Sequence, residues 1–289
     1  MSNYEKMTRD ISALCKKLLE EKTVDCVVAF QPGGAEGMSL PYIFTDPPDA
    51  EGLIWNNRCV SNLARYLVGR KGKPAIVAKP CDGRAVVSLC AENQIKREDV
   101  HIIGVACASV VDEKGERLLC CAECKMVTPP VYDNLIDDPA ANSKVPREKD
   151  RSHAGDIKHF EKEIEKCILC FACRGACYGC YCNVCFMDRG LPNWQPSNPD
   201  KGAKMLYHAT RAMHLAGRCV ECGACENACA SGVNLRYIIS ELTDFVDELY
   251  DYKAGTEPDA PPMMQSYAAT DREVGFYGAS NSAGGEADV

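Results

Sequence analysis

Two stretches of the chain repeat one cysteine spacing. The first is Cys167-x2-Cys170-x2-Cys173-x3-Cys177 and the second is Cys219-x2-Cys222-x2-Cys225-x3-Cys229. Three thiols so close in sequence converge only if the backbone wraps around whatever they hold. The fourth, one helical step on, points away. This is the spacing that binds a pair of [4Fe–4S] cubanes, with the fourth cysteine of each run ligating the other cluster. The spacing therefore predicts one cluster on Cys167, Cys170, Cys173 and Cys229. It predicts a second on Cys219, Cys222, Cys225 and Cys177. Zinc sites usually pair two CxxC knuckles and fit two runs of four poorly.

The chain carries 20 cysteines in 289 residues. Their clustering at short fixed spacings, behind an N-terminus with no basic-then-apolar signal pattern, reads as metal ligation in a reducing cytoplasm rather than as a disulfide scaffold. No apolar run approaches the roughly 20 residues of a membrane span, so no membrane insertion is expected. The net charge of −8 excludes a nucleic-acid partner, whose phosphates call for a basic surface. No Ser/His/Asp set, phosphate-binding loop or paired-carboxylate signature stands out.

Hydrophobic periodicity divides the chain. Met7, Ile11, Leu14, Leu18 and Leu19 predict a helix over 4–21. Short β-branched runs at 24–30, 74–78 and 100–106 predict buried strands, with helices over 59–72 and 82–93 between them, the second capped by Asp82. Residues 31–57 read as loop. Strands alternating with helices imply an α/β domain with a parallel sheet and flanking helices. Residues 133–155 are rich in Asp, Pro, Ser and Lys and read as a linker. Beyond it the chain reads as helical. One helix is predicted over 204–218, with Leu206, Ala209, Met213 and Ala216 on its packed face. Another is predicted over 233–250, with Leu235, Ile238, Leu242, Phe245 and Leu249. The expected organisation is 1–137 α/β domain, 138–158 linker, 159–252 helical dicluster domain and 253–289 extended tail.

The paired runs, the long insertion between them and the helix that follows resemble the α-helical ferredoxin domain of heterodisulfide reductase small subunits and succinate dehydrogenase iron–sulfur subunits, over roughly 160–252. Ferredoxin runs commonly end Cys-Pro; Tyr178 and Ala230 occupy those places here.

A second set of cysteines lies near the strands. Cys81 follows the 74–78 strand, Cys107 follows the 100–106 strand, and Cys120, Cys121 and Cys124 come soon after. In a right-handed βαβ unit the first two emerge on one sheet edge, where open α/β sheets bind cofactors. Cys81, Cys107, Cys124 and one of Cys120 or Cys121 are expected to hold a third [4Fe–4S] cluster. Single buried core thiols are the alternative for Cys81 and Cys107. The stretches "AIVAKPCDGRAVV", "HIIGVAC" and "CCAECKMVTPPVYD" resemble the β subunits of coenzyme F-420 hydrogenases and dehydrogenases, over roughly 10–137. The resemblance implies a domain that holds flavin (FAD or FMN) and an iron–sulfur cluster and exchanges hydride with the coenzyme. Family members usually carry a glycine pair near the first helix; "TRDISALCKKLLEE" has none. Close backbone approach to a phosphate or a flavin ring normally needs glycine, so an electron relay that has lost flavin is expected.

Cys180, Cys182 and Cys185 form a C-x-C-x2-C knot with three ligands. A spare from the "CCAEC" segment would complete a fourth cubane across the domain boundary; a zinc site or shared ligation in one extra cluster are the alternatives. Cys15, Cys26, Cys59 and Cys90 read as core, and His208 and His214 as surface or packing residues. The function expected is an iron–sulfur electron-transfer subunit of a cytoplasmic, anaerobic oxidoreductase complex. Its expected partners are catalytic subunits: a hydrogenase, a formate dehydrogenase or a heterodisulfide-reductase-like flavoprotein. The alternatives are a flavin-bearing module that exchanges hydride with a deazaflavin or nicotinamide coenzyme, and a redox sensor.

Overall fold

The computed structural model describes residues 3–34, 37–188 and 198–263. The tail read as extended lies outside them beyond 263. Helix α1 (Asn3–Glu20) buries Met7, Ile11, Cys15, Leu18 and Leu19, a stripe at helical spacing. Strand β1 (Cys26–Pro32) begins with five buried residues in succession. β2 (Ser39–Phe44) returns antiparallel beside it. β3 (Pro74–Ala78), helix α2 (Pro80–Ala91) and β4 (His101–Val105) form a parallel βαβ unit. β3 is buried along its whole length, the pattern of a strand covered on both faces. Helix α3 (Leu119–Glu123) precedes β5 (Asn134–Ile136), which closes a sheet of order β2-β1-β3-β4-β5. All pairings except β1–β2 are parallel.

The cysteine-rich half is helical: α4 (Ile157–Glu165), α5 (Ala172–Ala176), α6 (Lys201–Leu215), α7 (Ala224–Asn227) and α8 (Leu235–Tyr250). α4 and α8 pack on α6, and α5 lies beside α7. The chain is thus an α/β sheet joined to a mainly helical cysteine-rich region. Among the described residues no helix is long and apolar enough to cross a membrane.

Three expectations change. Residues 59–72 do not form a helix; only Leu63–Tyr66 make one 3-10 turn. The backbone there is captured by side chains instead. Asn62 Oδ1 accepts from Ala64 N, Asp82 Oδ1 accepts from Leu63 N, and Lys79 Nζ donates to the Ser61 carbonyl. Side-chain partners of this kind compete with helical hydrogen bonds. Asp82 is not an N-cap: it stands inside the first turn of α2, and its Oδ2 accepts from Lys79 N at 2.8 Å. β2 lies within the stretch read as loop, and β5 within the stretch read as linker. The rest of that stretch is held down as well, since Lys149 Nζ pairs with Glu221 at 2.6 Å and Asp244 at 2.7 Å.

The two halves are fastened together by their polar groups. The Arg84 guanidinium, on α2, donates to the carbonyls of Ala254 and Val220. Arg218 pairs with Glu92 at 2.7 Å. Gly255 (φ +68°) passes so near α2 that an added Cβ would stand 2.0 Å from the Arg84 carbonyl oxygen.

Candidate metal centres

The two cysteine runs have the same backbone. Leu169 (φ 54°) and Phe171 (φ 60°) in the first match Glu221 (φ 57°) and Gly223 (φ 71°) in the second, position for position. Three of these are non-glycine residues in the left-handed region, each costing on the order of 1–2 kcal/mol. Strain of this kind gathers at ligand-holding turns. Left-handed residues set among right-handed ones turn N–H groups inward, a device found around anions and iron–sulfur centres. Here Leu169 N donates to Cys167 Sγ at 3.3 Å and Glu221 N donates to Cys219 Sγ at 3.3 Å. Val233 N donates to Cys229 Sγ at 3.4 Å. After each turn a short helix, α5 or α7, carries the chain to its fourth cysteine.

Cysteines of both runs line two cavities. The first, with about 320 Å³ of non-atom space, is lined by Cys167, Cys170, Cys173 and Cys229, together with Tyr207 and His208 of α6. The second, about 460 Å³, is lined by Cys177, Cys219, Cys222 and Cys225, with Arg211 of α6 and Arg236 of α8. The fourth cysteine of each run therefore stands with the first three of the other. Tyr207 Oη lies 3.2 Å from Cys173 Sγ.

A third and larger cavity opens between the sheet and the helical half. Its lining includes Cys81, from the first turn of α2 beyond β3, and Cys107, beyond β4. Cys120, Cys121 and Cys124 join them from α3 and its end. The C-terminal edge of the parallel strands has gathered all five. The third cavity shares Glu221, Cys222 and Arg236 with the second. Gly223, at φ +71°, backs onto this boundary; a Cβ there would fall 2.5 Å from Cys120 Sγ.

The knot is distributed differently. Cys180 faces Cys177, Cys182 is exposed and Cys185 faces Arg174. None of the three lines any of these cavities. Cys15 and Cys59 are buried in the main apolar core, and Cys90 is packed against it.

Burial pushes the Cys222 thiol up to about 11 and Cys225 to about 12. Cys177 is held down at about 6, through its bond with Cys180 and the nearby Arg211 charge. In the third cavity burial raises Cys107 to about 12, while a bond from Cys120 lowers Cys121 to about 6. Among the described residues no three His, Cys, Asp or Glu side chains are placed to hold one metal ion. A lone zinc ion would need four sulfurs drawn to about 2.3 Å from a single point. Sulfur-only quartets spread around a cavity, with N–H groups bonded to them, fit a polynuclear cluster.

Three lining residues carry no signal in the cysteine spacing: His208, Arg211 and Arg236. The face expected to pack on α6 is rotated in the structure, whereas on α8 Leu235, Ile238 and Leu242 pack as expected. Leu206 and Met213 are 40% and 67% exposed, whereas Tyr207, His208 and Arg211 are buried. On α8, Phe245 is half exposed while Arg236 and Thr243 are buried. His208, read as a surface or packing residue, lines the first cavity, and His214 is exposed. Polar residues on the inner face of an amphipathic helix conflict with its hydrophobic pattern. Such conflicts are where functional sites are expected.

No family model matches the chain. Among the curated proteins similar to it are two formate dehydrogenase subunits. The F420-dependent formate dehydrogenase subunit beta of Methanocaldococcus jannaschii is 23% identical over 360 aligned positions, covering 88% of this chain and 93% of that protein. The F420-dependent formate dehydrogenase 1 subunit beta of Methanococcus maripaludis is 31% identical over 109 residues, 36% of this chain and 28% of that protein. The likeness supports the β-subunit resemblance drawn from the N-terminal motifs.

Proposed function

We propose that this chain is the iron–sulfur electron-transfer subunit of an oxidoreductase complex. It would relay single electrons between a catalytic partner bearing flavin or metal and a further acceptor. The observation that carries the reading is the series of sulfur-lined cavities, the first beside the second and the second sharing Cys222 with the third. A bound [4Fe–4S] cluster supplies one-electron redox chemistry, with a potential set by cluster charge, burial and hydrogen bonds to sulfur. Cys167, Cys170, Cys173 and Cys229 would hold one cluster, and Cys177, Cys219, Cys222 and Cys225 another. Cys81, Cys107, Cys124 and one of Cys120 or Cys121 would hold a third. The protein's own work is to hold these sulfurs in file, donate N–H groups to them and keep water from the middle of the path.

The formate dehydrogenase subunits to which the chain is similar make a formate dehydrogenase catalytic subunit the first partner to test. A hydrogenase or a heterodisulfide-reductase-like flavoprotein comes next. The domain division, α/β to 137 and dicluster from 159 to 252, belongs to the same reading.

Iron, acid-labile sulfide and flavin measured on one anaerobic preparation test the proposal. About twelve irons per chain without flavin support three cubanes in a relay. Absence of labile sulfide would falsify it.

A second reading rests on the third cavity being much larger than the other two. Lys125, Lys144 and Arg147 line it, alongside Glu123, Glu148, Glu221, Asp244 and Asp247. A flavin, with its phosphate toward the lysines and arginine, would find room there. Release of FAD or FMN on denaturation, at about one per chain, would favour that hydride-accepting module over the pure relay.

A further inference from the structure

Among the described residues, three buried nitrogens in the helical half lack a hydrogen-bond partner: His208 Nε2, Arg211 Nε and Arg236 Nε. The residues that carry them are only 4%, 4% and 7% exposed. A buried donor left unbonded costs roughly 1–3 kcal/mol, and more on a charged group. A fold that keeps three of them in one region has a use for them. Each residue lines a sulfur cavity: His208 the first, Arg211 the second, Arg236 the second and third.

The two arginines occupy the junctions between cavities. Arg211 faces Cys177 and Cys225 of the second set and Cys173 of the first. Among the described residues the only oxygen bonded by its guanidinium is the Cys173 carbonyl, at 3.3 Å from Nη2. Arg236 stands between the second set and Cys120 of the third cavity. Its Nη2 is held by Glu123 at 2.7 Å, which leaves Nε free of that pair. The second set is thus flanked by two buried guanidinium groups, while the first shares one of them and adds the imidazole of His208.

We propose that Arg211 and Arg236 are potential-setting positioning residues for the second centre, placing buried positive charge beside its sulfurs so that it takes up an electron before its neighbours. The proposal rests on the cluster reading above. One electron enters from a reductant outside the chain, and the site gains one negative charge. Each guanidinium favours that added charge, and low-dielectric surroundings strengthen the attraction. Hydrogen bonds to sulfur act in the same direction. Arg236 also faces Cys120 of the third cavity, where the Glu123 carboxylate paired to it offsets part of its charge.

The test is a potentiometric titration of the full-length, cluster-loaded protein, followed by EPR with one-electron mediators. Wild type, R211Q, R211K and R236Q are compared, with iron and labile sulfide assayed on each sample. The signal lost in C225A marks the second centre. In wild type that signal is expected to appear first on reduction. In R211Q and R236Q iron stays at the wild-type level. The reduced-to-oxidised ratio of the second centre at the wild-type midpoint falls at least about tenfold, equivalent to about 59 mV for a one-electron couple. R211K keeps the charge and recovers most of the shift; a merely structural arginine would give no such recovery. Full iron with an unmoved midpoint in both glutamine variants overturns the proposal. If R211Q sheds iron, R236Q and R211K still decide it. Wild-type protein without labile sulfide defeats the cluster reading instead, a result told apart by the assay itself.

Discussion

Arg236 Nη2 lies 2.7 Å from Glu123 Oε2, with side chains only 8% and 7% exposed, so a buried ion pair ties α8 to α3 across the junction of the two halves. Removing one member of such a pair strands the other charge out of water, at about 3–5 kcal/mol. E123A is expected to lower the urea midpoint of unfolding by a corresponding amount. An unchanged midpoint would mean that the pair does not tie the halves together.

Gly255 fixes the strap that leaves α8 and crosses α2. Its φ of +68° and the 2.0 Å approach of an added Cβ to the Arg84 carbonyl leave no room for alanine. Beyond the roughly 1 kcal/mol of left-handed strain, G255A is expected to free residues 251–263 from α2. Limited proteolysis should then cut that segment faster than in wild type, and equal cutting rates would count against the clamp.

Glu163 links α4 to the start of α8. Burial raises its carboxyl, but Lys166 at 2.7 Å and Asn234 N at 2.9 Å outweigh this and hold it below the ordinary value of 4.5. A depressed carboxylate contributes stability that is present above the unfolded value and lost as pH falls through the folded one. Acid titration of wild type should therefore show a loss of helical stability beginning below about pH 4.5 that is flatter in E163Q. Parallel acid limbs for the two proteins would remove Glu163 as the cause.

The three sets of cysteines differ in what they should cost when removed. C170A and C225A, each in a separate cavity, should lower iron by about four atoms per chain. C182A, whose thiol is exposed and lines none of the cavities, should keep the full complement. Iron lost from C182A would restore the fourth cluster expected on Cys180, Cys182 and Cys185.

Much of this fold can be read in the residues. The strands hold unbroken apolar runs at 26–30, 74–78 and 102–105, and burial on both faces leaves that mark whatever surrounds them. The crossed grouping of Cys177 and Cys229 follows from reach alone, since a thiol one helical step beyond a turn cannot point back into it. Residues 59–72 misled because their helical pattern is local, whereas Lys79 and Asp82, which hold that backbone, are distant in sequence. The face of α6 misled for a different reason. Leu206 and Met213 look like core and Arg211 like surface only if the neighbour is hydrocarbon; here the neighbour is a ring of sulfurs. Nothing in the spacing of Cys120 and Cys121 could tell which cavity they would enter, because that depends on how the two halves close.

The matched left-handed turns at Leu169 and Glu221, and at Phe171 and Gly223, persist beneath side chains that no longer resemble each other. If the proposed ligand sets hold, each turn supplies one sulfur to the other's ring and takes one back, so neither ring could close without both turns and damage to one would be felt at the two sites together.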